Sequence, residues 1–157
     1  MEITRRPARC LFGNAPSLWD ANRAYGYGTA QEWLAYQITD LSEFSGARDK
    51  ITDRQLDQLI QLVTDDYGFL SLAEFMLFCR RFKRGLYCKF YGSVDPISIM
   101  QGLNEFCRER EEARRQQERQ QHERTRWLQR HSPLNVSHEE YLNQVKQMQP
   151  SEANAIK

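Results

Sequence analysis

Between Phe75 and Pro96, five cations (Arg80, Arg81, Lys83, Arg84 and Lys89) are interspersed with six aromatic residues: Phe75, Phe78, Phe82, Tyr87, Phe90 and Tyr91. Cations neutralise phosphates and exposed rings stack on bases, so this mixture suits a grip on single-stranded nucleic acid. Four of the cations fall within five residues, Arg80 to Arg84, which is denser than helix-dipole compensation requires. A plainer account exists beside it. Phe75, Phe78 and Phe82 recur at helical intervals and suit a core, and the cations fall at the expected C-terminus of their helix.

Little else in the chain is equipped for chemistry. No glycine-rich phosphate loop of the G-x-x-x-x-G-K-[ST] kind occurs, and Gly26-Tyr-Gly28 lacks the third glycine and flanking strand of a dinucleotide site. The three histidines, His122, His131 and His138, all lie in the polar C-terminal third, so Cys10, Cys79, Cys88 and Cys107 have no histidine base near them in sequence. None of these cysteines forms a C-x-x-C pair, which argues against a zinc site. Metal-dependent chemistry would have to come from Glu32, Asp40, Glu43, Asp53 and Asp57 converging in space. No catalytic residue, metal or cofactor is assigned, and a non-enzymatic chain is expected.

The elements that position these residues read as helices. Residues 1–16, with Arg5, Arg6, Pro7, Arg9 and Pro16, read as an irregular basic arm. Ser17 caps a short helix that ends at Gly26. Thr29-Ala-Gln-Glu32 has the spacing of a capping box and opens a second helix. Thr52 caps a third, with Ile51 and Leu56 at the staple positions and Gly68 as its left-handed stop. Ser71-Leu-Ala-Glu74 is another capping box, and Gly85 closes the helix it opens. Asp95-Pro96 starts the last long helix, Asp as N-cap and Pro in the first turn. Leu86 to Tyr91 is too short to build a sheet alone, so an all-α fold is predicted. It is a compact bundle of four to five short helices, then a long charged helix and a short terminal one.

After Cys107 the composition changes. Arg108 to Arg130 holds eight Arg and five Glu, and no apolar residue larger than Ala113 precedes Trp127-Leu128. With no apolar a and d positions this is not a coiled-coil seam, and i,i+4 pairs such as Glu111–Arg115 support it as a solvated helix. Trp127 and Leu128, with Tyr141, Leu142 and Val145 on a short amphipathic helix, form a candidate partner-binding end. The expected divisions are a basic arm over 1–16, a helical core over 17–107, a charged helix over 108–130, and a short helix with a frayed tail over 131–157.

Length and charge bound the function. A chain of 157 residues suits one domain with appendages. Its 22 Lys and Arg nearly cancel 21 Asp and Glu, so nucleic-acid contact would rest on local patches. No apolar run reaches membrane-spanning length, and Met1-Glu-Ile-Thr-Arg-Arg lacks the apolar centre of an export signal. A cytoplasmic protein with reduced thiols is expected.

The stretch Leu72-Ala-Glu-Phe-Met-Leu-Phe-Cys-Arg-Arg-Phe-Lys-Arg-Gly-Leu-Tyr-Cys-Lys-Phe-Tyr-Gly-Ser-Val-Asp-Pro96, with Phe106-Cys-Arg-Glu-Arg110, resembles an uncharacterised family of small helical proteins. These come from Bacteroides-type bacteria, their phages and mobile elements. The resemblance runs over roughly residues 30 to 115 and departs at Cys79, where an aromatic is commoner. It implies no catalytic residue. It does imply an accessory role in phage or mobile-element DNA replication, from the replication genes beside which such proteins are found. The expected function is therefore a nucleic-acid-associated accessory protein, with single-stranded DNA and a replication protein as partners. Arg80, Arg81, Lys83, Arg84, Lys89, Tyr87 and Tyr91 would form its surface. The alternative is a protein-interaction adaptor without nucleic-acid contact, which uses the long helix, a route to dimers, and the C-terminal end.

Overall fold

Side-chain caps set where the helices begin. The computed structural model describes residues 3–44, 50–87 and 95–131, and among these it is all-α. A 3-10 turn, Ile3–Arg5, precedes six helices: α1 (Pro7–Phe12), α2 (Leu18–Tyr25), α3 (Thr29–Phe44), α4 (Asp53–Tyr67), α5 (Leu72–Lys83) and α6 (Pro96–His131). Ser17, Thr52 and Ser71 each close a capping box, with Asp20, Gln55 and Glu74 respectively. Asp95 caps α6, accepting from the amides of Ile97 and Ser98, with Pro96 in the first turn. The remaining first-turn amides of α2 are taken by neighbouring backbone: Leu18 donates to the Leu70 carbonyl over 3.0 Å and Trp19 to the Gly68 carbonyl over 3.1 Å. These bonds, with Leu72 to Pro16, tie the start of α2 to the start of α5.

The core lies among all six helices. Phe75, Phe78, Phe82 and Phe106 are fully buried, joined by Leu18, Leu34, Ile38, Leu59, Val63, Ile99 and Leu103. Gly102 lets α6 approach α5: a Cβ there would stand 3.2 Å from the Phe82 ring and from the Tyr87 Cβ. Mid-helix glycine costs about 1 kcal/mol in propensity, which this close packing offsets. Among the described residues no helix is long and apolar enough to cross a membrane.

Three local expectations need correction. Within the arm expected to be irregular over residues 1–16, Ile3–Arg5 form a turn and Pro7–Phe12 a helix. Cys10 and Leu11 of α1 are buried, and Thr4 is buried beneath Arg80, which donates to its hydroxyl over 3.2 Å. The packing of Cys10 and Leu11 against α5 is the reason, and periodicity over six residues is too short to show it. The Thr29–Glu32 capping box does not form. Thr29 is already helical and the Glu32 amide bonds the Gly28 carbonyl over 2.9 Å, so the Glu32 carboxylate is left for other uses. Gly68 is not a left-handed stop; its φ is −59°. Glycine is needed there because a Cβ would fall 1.9 Å from Nε1 of Trp19.

The chain divides into two compact units, Met1–Arg114 and Arg115–Lys157. The first extends beyond the expected limit at Cys107, because Arg110 and Arg114 both reach Glu74 on α5. In the second, the described residues are the exposed later turns of α6, including Trp127 and Leu128. The expected terminal helix lies outside the described residues.

Candidate functional site

Helical geometry splits the cation cluster of α5 between two neighbours. At about 100° per residue, Arg80, Lys83 and Arg84 fall on one side and Arg81 on another. Lys83 pairs with Asp40 of α3 and lies 5.1 Å over the Phe44 ring. Arg80, Lys83 and Arg84 share a pocket of about 330 Å³ with Thr4, Gln37, Asp40 and Cys79. Arg81 turns toward α6, where its Nη1 donates to Glu109 over 2.6 Å and to the Tyr87 hydroxyl over 3.3 Å. Tyr87 itself donates to Glu109 over 3.1 Å. Its ring stacks on Phe78 at 5.8 Å and meets Phe106 edge-on at 6.5 Å.

Most of the described residues expected to face a polyanion have partners within the chain. Arg81 and Lys83 are neutralised by Glu109 and Asp40, Arg80 is held by Thr4, and the Tyr87 ring packs on the core. Arg84 alone of the described set is exposed. Lys89 and Tyr91 lie outside the described residues, as do Tyr141, Leu142 and Val145 of the partner-binding set; Trp127 and Leu128 are exposed on α6.

The described thiols are not poised as nucleophiles. Cys10, Cys79 and Cys107 are free, and burial pushes the Cys79 thiol far up and Cys107 up to about 11. Such thiols stay protonated and inert near neutral pH. Of the carboxylates weighed for metal chemistry, Glu32 and Asp57 line one cleft and the others lie apart from it. Asp40 serves Lys83 and Glu43 serves Lys50, and among the described residues no cluster of three or more His, Cys, Asp or Glu can hold a metal ion.

A larger cavity lies elsewhere, at a place the sequence reasoning missed. An open cleft of about 740 Å³ runs between α2, α3 and α4. Each wall is a helical stripe: Trp19 and Asn22 from α2; Gln31, Glu32 and Ala35 from α3; Asp57, Ile60, Gln61, Thr64 and Asp65 from α4. The floor is fixed by internal bonds, for Asn22 Oδ1 accepts from the Ala30 amide over 2.8 Å and the Thr64 hydroxyl donates to the Ile60 carbonyl over 2.8 Å. Trp19 is half exposed, its indole seated against Gly68 and edge-on to Phe69 at 6.4 Å. Tyr27 stands at the lip, 92% exposed, between Gly26 and Gly28. Both glycines hold positive φ, 104° and 102°, a turn that other residues rarely adopt. The available signal was that Gly-Tyr-Gly loop together with Asp57 and Gln61 on the wet face of α4, but which helix faces which is invisible in a linear pattern.

Residues 50–151 match a family of unknown function, DUF6633. The chain belongs to that family. The matched region starts near α4 rather than at the roughly residue 30 expected from the resemblance, and it continues past residue 115. Comparisons with curated proteins and with solved structures each return no match. Within the family region, the described residues of the resembling stretch are accounted for by architecture. Phe78, Phe82 and Phe106 fill the core, Glu74 pairs with Arg110, and Lys83 pairs with Asp40. The cleft draws only its α4 wall from that region; Trp19, Tyr27, Gln31 and Glu32 precede it.

Proposed function

We propose that this chain is a protein-interaction adaptor whose docking face is the cleft between α2, α3 and α4. The observation that carries this reading is Tyr27, held almost fully in solvent at the lip of the α2–α3–α4 cleft by two glycines. An exposed ring in a pre-shaped turn loses little entropy on binding, and Trp and Tyr beside a cavity are the side chains that anchor protein interfaces. Tyr25 and Tyr36, on α2 and α3, are also exposed and extend the aromatic supply. Capture with the full chain as bait tests it. A partner retained by the wild type and lost by the Trp19→Ala/Tyr27→Ala variant is expected; identical captures would overturn the assignment.

A second reading keeps the nucleic-acid role, as an accessory in phage or mobile-element DNA replication. It is favoured by Arg84 and by Arg119, Arg124, Arg126 and Arg130, all exposed. Fluorescence anisotropy with labelled single-stranded DNA separates the two. Binding that weakens steeply with salt supports the accessory; no binding at low salt leaves the adaptor. Both readings place the chain in the cytoplasm.

A further inference from the structure

The pocket of about 330 Å³ between α3 and α5 is built from one stripe of each helix. Gln37, Asp40 and Phe44 come from α3; Met76, Arg80 and Lys83 come from α5, and Arg84 from its C-cap. Asp40 neutralises Lys83. Arg80 donates to a neutral hydroxyl, that of Thr4, and Arg84 is exposed. Among the described residues neither of these two guanidinium groups has a carboxylate partner. The C-terminus of α5 supplies only about half a negative charge. The pocket is therefore left with positive charge that the chain does not balance.

Gln37 is an independent sign of a ligand. It is 9% exposed, it lines the pocket, and its carboxamide has no hydrogen-bond partner among the described residues. Buried polar side chains are nearly always paired. The unpaired side-chain atom that solvent cannot touch is Gln31 Oε1, on another face of α3, so the Gln37 amide still reaches open space. The rest of the wall is apolar, with Phe44 and Met76 at its side.

Guanidinium forks and an amide N–H suit the oxygens of a phosphate, which arginine grips in bidentate fashion. A phosphate monoester carries about −1.5 to −2 charges at neutral pH and so answers two guanidinium groups; a carboxylate or a phosphodiester brings one charge. We infer that this pocket binds a small phosphate monoester with an aromatic or apolar body. The phosphate lies against Arg80, Arg84 and the Gln37 amide, and the body against Phe44 and Met76. The pocket shares no lining residue with the α2–α3–α4 cleft, so the inference stands apart from the adaptor reading.

The test uses the full-length, ¹⁵N-labelled chain titrated with phenyl phosphate. The side-chain amide signals of Gln37 and the backbone amides around Arg80 are expected to shift in a saturable manner. Inorganic phosphate, which lacks the body, and methyl phenyl phosphate, the monoanionic diester, bind more weakly. Gln37→Met and Arg84→Gln each remove one donor to a charged acceptor and weaken binding about tenfold. Arg54→Gln, the same loss of charge on the exposed face of α4, leaves it unchanged. Amide dispersion confirms that each variant folds. AMP and acetyl-phosphotyrosine amide carry the same phosphate on a free nucleotide and on a protein side chain, and the tighter of the two names the source. Absence of saturable shifts at Gln37, equal binding of inorganic phosphate or the diester, or indifference to Gln37→Met and Arg84→Gln overturns the inference.

Discussion

Arg110 Nε donates to Glu74 Oε1 across 2.6 Å, and the acceptor side chain is only 2% exposed. Arg114 Nη2 reaches the same oxygen at 3.1 Å and also donates to the Leu11 carbonyl. The other oxygen of Glu74 accepts from the Ser71 amide at 2.9 Å. One buried carboxylate thus starts α5, fastens α6 to it, and through Arg114 reaches α1. Arg110 also lies 5.2 Å over the Phe69 ring, which in turn meets Trp19 edge-on.

Glu74→Gln strips the charge from this junction and leaves two guanidinium groups against a neutral amide. Breaking one side of a buried pair costs about 3 kcal/mol or more. Urea denaturation should show a loss of that order. The exposed pair Glu43–Lys50, cut by Glu43→Gln, should cost under about 1 kcal/mol. Equal effects of the two substitutions would contradict the described burial.

Gly68→Ala is permitted by its backbone dihedrals but not by its neighbours, because the new Cβ would meet the Trp19 indole and the Thr64 carbonyl oxygen. A destabilisation of about 1–3 kcal/mol is expected from the forced shift. It should shrink in a Trp19→Ala background, where the indole is gone and the Thr64 carbonyl, 2.5 Å from the new Cβ, remains. Additive losses in the double-mutant cycle would place the strain elsewhere.

Charge reversal on α5 should act through folding. Arg81→Glu sets two carboxylates together at Glu109, and Lys83→Glu does the same at Asp40. Each should lower stability by about 1 kcal/mol, as partly exposed pairs do when reversed. Arg84→Glu, on an exposed residue, should leave the melting temperature nearly unchanged, which makes it the clean probe of the DNA-binding reading.

Alkaline pH should weaken the fold. Burial raises the Tyr87 phenol from its ordinary 10.0 to about 12, against the opposing hydrogen bond and charge of Arg81. Burial raises Cys107 from 9.0 to about 11. The folded chain holds these protons more tightly than the unfolded one, so the associated stability is intact below pH 9.0 and is lost as pH rises toward about 12. Urea midpoints measured across that window should fall. Tyr87→Phe should flatten the upper part of the decline, and a slope unchanged by it would remove Tyr87 as a cause.

Much of this protein was legible from spacing along the chain. Ser17, Thr52, Ser71 and Asp95 cap helices because a cap joins residues two or three apart, and the Phe75–Phe78–Phe82 stripe is buried because periodicity of that kind marks a core face. The all-α class and the onset of α6 followed from such local rules. What the cations of α5 do did not. Lys83 finds Asp40 across 43 residues and Arg81 finds Glu109 across 28, and no local pattern shows which carboxylate a cation will meet. The cleft is of the same kind. Its carboxylates come from α3 and α4 and its indole from α2, so only the packing of three helices decided that they would share one cavity. Charge and shape at a distance belong to the tertiary fold, because the backbone carries no memory of a partner until the chain has closed on it.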